Sequence, residues 1–284
     1  MDSSINLQPL SIRSILQEHD IRLKKSLGQN FLSDNQILSK IVQAAEITSS
    51  DNVLEIGPGV GSLTRHIAIQ AKEVFAVELD DRLLPALEEV LSPFDNIQII
   101  NNDILKVNLT ELLGNDPYVI IANIPYYITS AVLRHCLENH TKPKRMILTI
   151  QKEVARRICQ SPGDLSLLAL SVQVYGSPKI LFDIPAGAFF PSPNVDSTVL
   201  SIELYENPLI PQEDLETFFK WSKAGFAQKR KKLRNSLAAG LHISTQDIEN
   251  IFAKADLDPQ RRAETLSISE WYQLIQQSKS DPLA

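Results

Sequence analysis

Asn123, Pro125 and Tyr126 form an N-x-P-Y sequence directly after an apolar run, Tyr118 to Ala122. A planar exocyclic amine is a poor nucleophile because its lone pair is delocalised into the ring. Acceptors that hold its hydrogens while it pyramidalises stabilise the charge developing on transfer. The Asn123 side-chain oxygen and the backbone carbonyl of Ile124 suit that task, and Pro125 fixes the local chain direction. Tyr126 offers a face on which a base stacks and is aligned for in-line displacement. Carboxyl or hydroxyl acceptors need no such equipment. Taken alone, the same residues also describe a structural turn with Tyr126 in the core.

A second group lies upstream. Residues 53 to 64 read VLEIGPGVGSLT: Val53, Leu54 and Ile56 end in Gly57, Pro58, Gly59, Val60 and Gly61 before a helical pattern begins at Ser62. Glycines let backbone approach a ligand and adopt positive φ, and a helix start beyond them favours polar groups. Glu78 follows about 20 residues after the first glycine, where a doubly wound sheet meets a ribose. A dinucleotide site wants G-x-G-x-x-G, but Ser62 stands where the last glycine belongs. The tighter turn fits a ligand without a pyrophosphate, such as S-adenosylmethionine; a strand-to-helix corner with no ligand is the plain alternative. In the cofactor reading Glu78 accepts from the ribose and Asp103 from the adenine amine.

These residues need elements to bring them together. Apolar runs at Val74 to Val77, Ile97 to Ile100 and Tyr118 to Ala122 alternate with helical patterns, one of them around Leu83 to Leu91, which predicts a doubly wound sheet. Four successive strand ends then carry Gly57, Glu78, Asp103 and Asn123, and the carboxyl ends of parallel strands share one edge. Further strands are expected at Arg145 to Ile150, Lys179 to Asp183 and Ser197 to Leu204, with the proline-rich FFPSPNVDS between the last two. Ser33 with Gln36 has the form of a capping box for a helix through Ile37, Leu38, Ile41, Val42 and Ala45. From Pro211 the pattern is helical: Leu215 to Phe226, Lys229 to Ala239, Thr245 to Ala255 and Ser269 to Gln277. Trp221 and Trp271 fall at helical periods and are expected to pack this region.

The expected fold class is α/β, a Rossmann-like class I methyltransferase domain with a small C-terminal all-α domain. Residues 1–20 read as a flexible arm, 21–207 as the methyltransferase domain and 208–284 as a helical domain.

The composition, with 43% hydrophobic residues in 284, permits a full core. Cys136 and Cys159 lack C-x-x-C spacing and the five histidines lack metal-ligand spacing, so neither a disulfide scaffold nor a metal site is expected. No run approaches a membrane span and the N-terminus lacks the features of a secretory signal, which points to the cytoplasm. The net charge of −6 disfavours nucleic acid in the mean, yet Lys220, Lys223, Lys229, Arg230, Lys231, Lys232 and Arg234 fall close together, and Lys24 and Lys25 precede the core. Such a run neutralises phosphates or simply forms a solvated face.

RLKKSLGQNFL, VLEIGPGVGSLT, VFAVELD, NND, NIPYYIT, FFPSPNVDS and AGFAQKRKKLRNSL occur in this order. Together they resemble the ribosomal RNA adenine dimethyltransferase family, over about residues 20 to 275, and most closely its bacterial small-subunit branch. The resemblance implies dimethylation by S-adenosyl-L-methionine of two adjacent adenines near the 3′ end of 16S rRNA, in a small-subunit precursor, by a monomer without a metal. It implies cofactor contacts at Asn30, Leu32, Gly57, Glu78, Asp103 and Asn123, a catalytic loop from Asn123 through Ile124 and Pro125 to Tyr126, and base stacking by Tyr126 and Phe189. It also assigns RNA contacts to Lys24, Lys25, Lys229, Arg230, Lys231, Lys232 and Arg234. The chain departs from the family pattern at DLSLLALSV, which is shorter, and at Tyr127, where many relatives carry Asn.

Overall fold

The computed structural model describes residues 7–24, 27–228 and 230–279. It begins with α1 (Ile12–Glu18), β1 (Phe31–Leu32), α2 (Asn35–Ala45), β2 (Asn52–Ile56), α3 (Ser62–Ala68), β3 (Glu73–Glu78), α4 (Leu84–Leu91) and β4 (Ile97–Asn101). It continues with α5 (Leu109–Leu113), β5 (Tyr118–Asn123), α6 (Thr129–Glu138), β6 (Arg145–Gln151), α7 (Lys152–Ile158), α8 (Leu167–Gln173), β7 (Gly176–Ile184), β8 (Phe189–Phe190) and β9 (Ser197–Leu204). Four helices close the chain: α9 (Leu215–Phe226), α10 (Leu233–Leu241), α11 (Thr245–Lys254) and α12 (Ile268–Lys279). No described helix is long and apolar enough to cross a membrane.

Seven strands form one sheet in the order β4-β3-β2-β5-β6-β9-β7. β2 to β6 are parallel and β9 runs antiparallel beside β6. The near-continuous apolar strands follow from burial on both faces: Val53, Leu54, Val74, Ile120, Ile147 and Leu148 are all fully buried. The chain leaves β2 through β3 and β4 on one side and returns to β5 on the other. That reversal opens a crevice beyond the carboxyl ends of β2 and β5. The Rossmann-like α/β class expected from the sequence is the class observed.

Three local expectations are corrected. The residues read as a loose arm contain α1, whose Ile12 and Leu16 are buried in a cluster with Phe31, Val60 and Leu83. Apolar residues at 12, 15 and 16 give a short helix one sticky stripe, and burying each of the two is worth about 1.5–3 kcal/mol. The cap of α2 is Asp34, which accepts from the Gln36 and Ile37 N–H groups. Ser33 instead donates both its backbone N–H and its hydroxyl to the Ala188 carbonyl. It is committed to a two-stranded ribbon in which β1 pairs antiparallel with β8, Phe31 opposite Phe190 and Leu32 opposite Phe189.

The third correction concerns the division of the chain. One compact unit holds residues up to Ala155 together with Pro178–Leu204, and the other holds Arg156–Ser177 and the chain from Tyr205 on. A single cut near 207–211 misses the excursion at 156–177. Within the second unit the Gly163 and Leu165 N–H groups reach the Glu264 carbonyl, and the Tyr175 and Phe219 rings stack at 6.2 Å. Trp271 is fully buried there against Phe226, and Trp221 is buried as well. Gly225 makes room for Trp271: a Cβ on it would lie 2.4 Å from the indole Cη2.

Candidate active site

The crevice is a cleft of about 830 Å³, part of it open to solvent, within the first unit. Its floor is the glycine turn. Gly57, Gly59 and Gly61 have φ of +70°, +63° and +85°, values that a side chain makes costly. At Gly59 a Cβ would also fall 2.7 Å from the Phe31 ring. The turn thus lets β1 lie directly over it.

Glu78, at the end of β3, holds this turn in place. Its Oε2 accepts from the Gly59 N–H at 3.0 Å and its Oε1 from the Asp80 N–H at 2.8 Å. Each carboxylate oxygen keeps a further lone pair for hydroxyl donors. Burial raises the Glu78 pKa, with backbone hydrogen bonds opposing and the Asp80 charge adding to the rise. Asp80 is also buried, but its bonds to Arg82 and Gln29 outweigh desolvation and hold its carboxyl below the usual range. The Gln29 amide donates to Asp80 at 2.7 Å and its carbonyl oxygen accepts from the Lys24 N–H. These bonds tie Lys24 and Gln29 to the end of β3.

Beyond β4, Asn101 and the Asn102 N–H both donate to the Glu78 carbonyl. Asp103 is half-buried and caps the next turn by accepting from the Leu105 N–H at 3.0 Å. Beyond β5, the Asn123 Nδ2 donates to the Asn30 carbonyl at 3.0 Å, and Asn30 Nδ2 donates to the Gly28 carbonyl at 3.1 Å. With its nitrogen engaged there, Asn123 presents its oxygen as an acceptor. The Ile124 N–H donates to the Thr149 carbonyl, anchoring the loop to β6. Tyr126 is half-buried, with its hydroxyl 2.8 Å from the Ser197 Oγ of β9, and burial raises its pKa.

The cleft brings together Asn30, Gly57, Glu78, Asp103, Asn123 and the loop through Tyr126. It does not collect every residue singled out from the sequence. Leu32 is buried and lines an adjoining chamber of about 330 Å³ rather than the main cleft. Phe189 is only 5% exposed and packs in the core with Leu32 and Val199, so its ring presents no open face to a base. Its ribbon register turns it inward and leaves Phe190 half-buried. Sequence reading passed over Gln29, Phe31 and Asp80 as parts of the site. The sequence Glu-Leu-Asp at 78–80 held a signal for the last, since two acids at a strand end seldom serve one turn. Tyr127, 57% exposed, also lines the cleft, and Asp103 and Glu78 lie close enough to add to the rise that burial gives its pKa.

Among the basic residues, Lys24 is exposed in the first unit, and Arg230, Lys231 and Lys232 are exposed in the second. Lys232 donates to Gln260 and Arg234 pairs with Glu249, so both are partly committed within the helical unit. Lys25 and Lys229 lie outside the described residues.

Comparison with known proteins adds an independent line. The chain is 44% identical over 271 residues to a ribosomal RNA small subunit methyltransferase A of Dehalococcoides mccartyi (strain CBDB1), covering 95% of this chain and 93% of that one. It is 42% identical to the protein of the same name from Lactococcus lactis subsp. lactis (strain IL1403), covering 92% of each. Among solved structures it resembles the 23S rRNA methyltransferase ErmE, with a TM-score of 0.70 at 28% identity over 87% of this chain and 99% of that one. A dimethyladenosine transferase from Plasmodium falciparum shares the fold, with a TM-score of 0.74 at 24% identity over 88% and 98%. The sequence profile described as ribosomal RNA adenine dimethylase matches residues 21–277. Alongside the cleft, its strand-end acids and its N-x-P-Y loop, the matched profile and the relatives agree: the chain is an rRNA adenine dimethyltransferase and belongs to the ribosomal RNA adenine dimethylase family.

Proposed function

We propose that the chain dimethylates two adjacent adenines in the 3′-terminal hairpin of 16S rRNA, four methyl transfers in all, during maturation of the small subunit. The observation that carries the chemistry is the Asn123-to-Asn30 hydrogen bond, which fixes the amide so that its oxygen serves as an acceptor. The names of the relatives at 44% and 42% identity favour the small-subunit RNA.

S-adenosylmethionine, when bound, supplies an electrophilic methyl group. The residues of the cleft fit it: Glu78 has lone pairs for ribose hydroxyls, Asp103 stands at the next strand end for an adenine amine, and Gly57 and Asn30 border the remaining space. The target adenine then lies against Tyr126, whose ring is steadied through its bond to Ser197. The Asn123 oxygen and the Ile124 carbonyl hold the two amine hydrogens in the first transfer, and one acceptor suffices for the single hydrogen left in the second. Phe189 supports the ribbon behind this surface. The exposed Arg230 and Lys231, with Lys24, contribute phosphate contacts.

The test is transfer of tritiated methyl from S-adenosylmethionine to undermethylated small subunits, with large-subunit RNA in parallel, followed by nucleoside analysis. Dimethyladenosine confined to the small subunit is expected. Label only in large-subunit RNA overturns the substrate assignment, and tight particle binding with no label overturns catalysis in favour of an assembly role.

A further inference from the structure

The parallel strands end in a row of polar residues, and the row does not stop at Asn123. Beside β5 in the sheet runs β6, whose last residue is Gln151. The register sets Asn123 opposite Thr149 on β6, and Gln151 opposite Ser197 on β9. Directly paired residues share a face of the sheet, as do residues two apart on one strand. Asn123, Thr149, Gln151 and Ser197 therefore lie on one face. By strand spacing and rise, the Asn123 and Gln151 backbones are about 8 Å apart. Ser197, directly opposite Gln151, is the residue whose Oγ stands 2.8 Å from the Tyr126 hydroxyl.

Gln151 is half-buried, and its amide has no hydrogen-bond partner among the described residues. The polar side chains around it are engaged elsewhere. Lys152 pairs with Asp183, which also accepts from Thr198, and Asp196 accepts from the Ala186 N–H. Thr149 is buried and its Oγ1 reaches no partner, so it does not take up the amide either. A rigid strand end next to the catalytic loop thus carries an uncommitted amide with two N–H donors.

The acceptors at Asn123 and Ile124 recognise an exocyclic amine, and adenine, cytosine and guanine all carry one. They do not by themselves select adenine. The bases differ in the atoms that flank the amine. Adenine presents an acceptor nitrogen on each side, N1 and N7, whereas cytosine presents one acceptor and a C–H, and guanine one acceptor and an N–H. A donor directed at that edge completes the recognition. Methylation removes the amine hydrogens that Asn123 and Ile124 bind but leaves the ring nitrogens untouched, so a contact to the ring serves the first and second transfers alike.

We infer that Gln151 is a base-recognition residue of the methyl transfer, its Nε2 donating to a ring nitrogen that flanks the amine of the target adenine. The inference rests on the reading that this base lies against Tyr126. It divides the sheet edge between two tasks: the ends of β2, β3 and β4 border the cofactor, and the ends of β5 and β6 hold the base.

The experiment is a cycle between the side chain and the base atom. Small subunits are reconstituted with a 3′ RNA segment carrying adenosine, 1-deazaadenosine or 7-deazaadenosine at both target positions. Tritiated methyl transfer then gives kcat/KM for the wild-type chain, Gln151→Leu and Gln151→Glu. On adenosine both variants are expected to lose roughly ten- to a hundredfold, because leucine has no polar atom and a carboxylate has no hydrogen to donate. The wild type should lose a similar factor on one of the two deaza substrates, and there Gln151→Leu should match it within about threefold. Any effect of the missing nitrogen on the reactivity of the amine is common to the three proteins and cancels in the cycle. The urea midpoint should not fall, since no internal hydrogen bond is lost, and S-adenosylhomocysteine should bind within about twofold of wild type. A Gln151→Leu variant that loses the same factor on all three substrates overturns the inference, as does a kcat/KM on adenosine within about twofold of wild type. No transfer by the wild type to subunits carrying ordinary adenosine removes the substrate reading itself, and this inference with it.

Discussion

Asn123 and Asn30, 93 residues apart, are joined by a hydrogen bond of 3.0 Å from the side-chain nitrogen of the first to the backbone carbonyl of the second. The bond decides which atom of the amide is left as an acceptor. Asn123→Ala removes both the acceptor and the tie, and is expected to lower kcat by about 10²–10³ in methyl transfer while S-adenosylhomocysteine affinity changes little. Asn123→Asp is expected to fare no better, because a carboxylate cannot donate to the Asn30 carbonyl. A kcat within about twofold of wild type in either variant would remove Asn123 from the reaction.

Gly57 and Gly59 both need positive φ, but their surroundings differ. A Cβ at Gly59 runs into Phe31, whereas a Cβ at Gly57 meets nothing within 4 Å. Gly59→Ala is expected to cost about 2–4 kcal/mol of stability, strain and overpacking together, read from the urea midpoint. Gly57→Ala should cost only about 1–2 kcal/mol, the strain alone, yet weaken the cofactor by narrowing the cleft floor. Equal stability losses would show that Phe31 does not hold its place over the turn.

In the helical unit, Gly225→Ala sets a methyl against Trp271 and Leu233 at 2.4 and 2.8 Å. An expected loss of about 1–3 kcal/mol should appear together with a shift in tryptophan fluorescence, since Trp271 must move. An unchanged emission maximum at lowered stability would place the strain elsewhere.

His66 lies in a buried bond network with Asn35 and Ser39, and burial followed by the Arg65 charge depresses its pKa to about 4. The unfolded chain binds a proton near the ordinary value of 6.5 while the folded chain does not, so this contribution is full above about pH 6.5 and is lost as pH falls toward 4. The amount is on the order of 2 kcal/mol. Glu55 acts in the opposite sense as pH rises from 4.5 toward 8, so the whole-protein profile mixes the two. The difference between wild type and His66→Gln isolates the histidine: it should shrink between pH 6.5 and 4. A difference that stays constant over that window contradicts the assignment.

Lys231 is exposed, whereas Arg234 is paired with Glu249. Lys231→Ala should reduce the slope of log affinity against log salt for small-subunit RNA by about 1, with little change in stability. Arg234→Ala should lower stability as well, because it leaves Glu249 without its partner. Identical salt slopes for wild type and Lys231→Ala would mean that this residue is a solvated surface charge.

Much of the architecture was legible because parallel strands buried on both faces leave apolar runs with polar ends, and those ends fall on one edge. Glu78, Asp103 and Asn123 were found that way. What escaped the sequence depends on pairing between distant segments. Nothing near Ser33 says that its hydroxyl is taken by Ala188, so the cap moved to Asp34. Nothing in FFPSP says which phenylalanine faces inward until Leu32 is set opposite Phe189. The excursion at 156–177 joins the helical unit through contacts with Glu264 and Phe219, which periodicity within the segment does not record.

The ribbon between β1 and β8 has a temporal consequence. Synthesis runs from the amino terminus, so Gly57, Glu78, Asp103 and Asn123 all leave the ribosome before Ala188 and Phe190 exist. Ser33 waits for a partner 155 residues further along the chain. A nascent chain can therefore form the floor of its cleft and the ties of Gln29 to Asp80 and of Asn123 to Asn30 first, and gains the last anchorage of that wall when the ribbon's second strand emerges. The enzyme's competence is thus dated to the late part of its own translation.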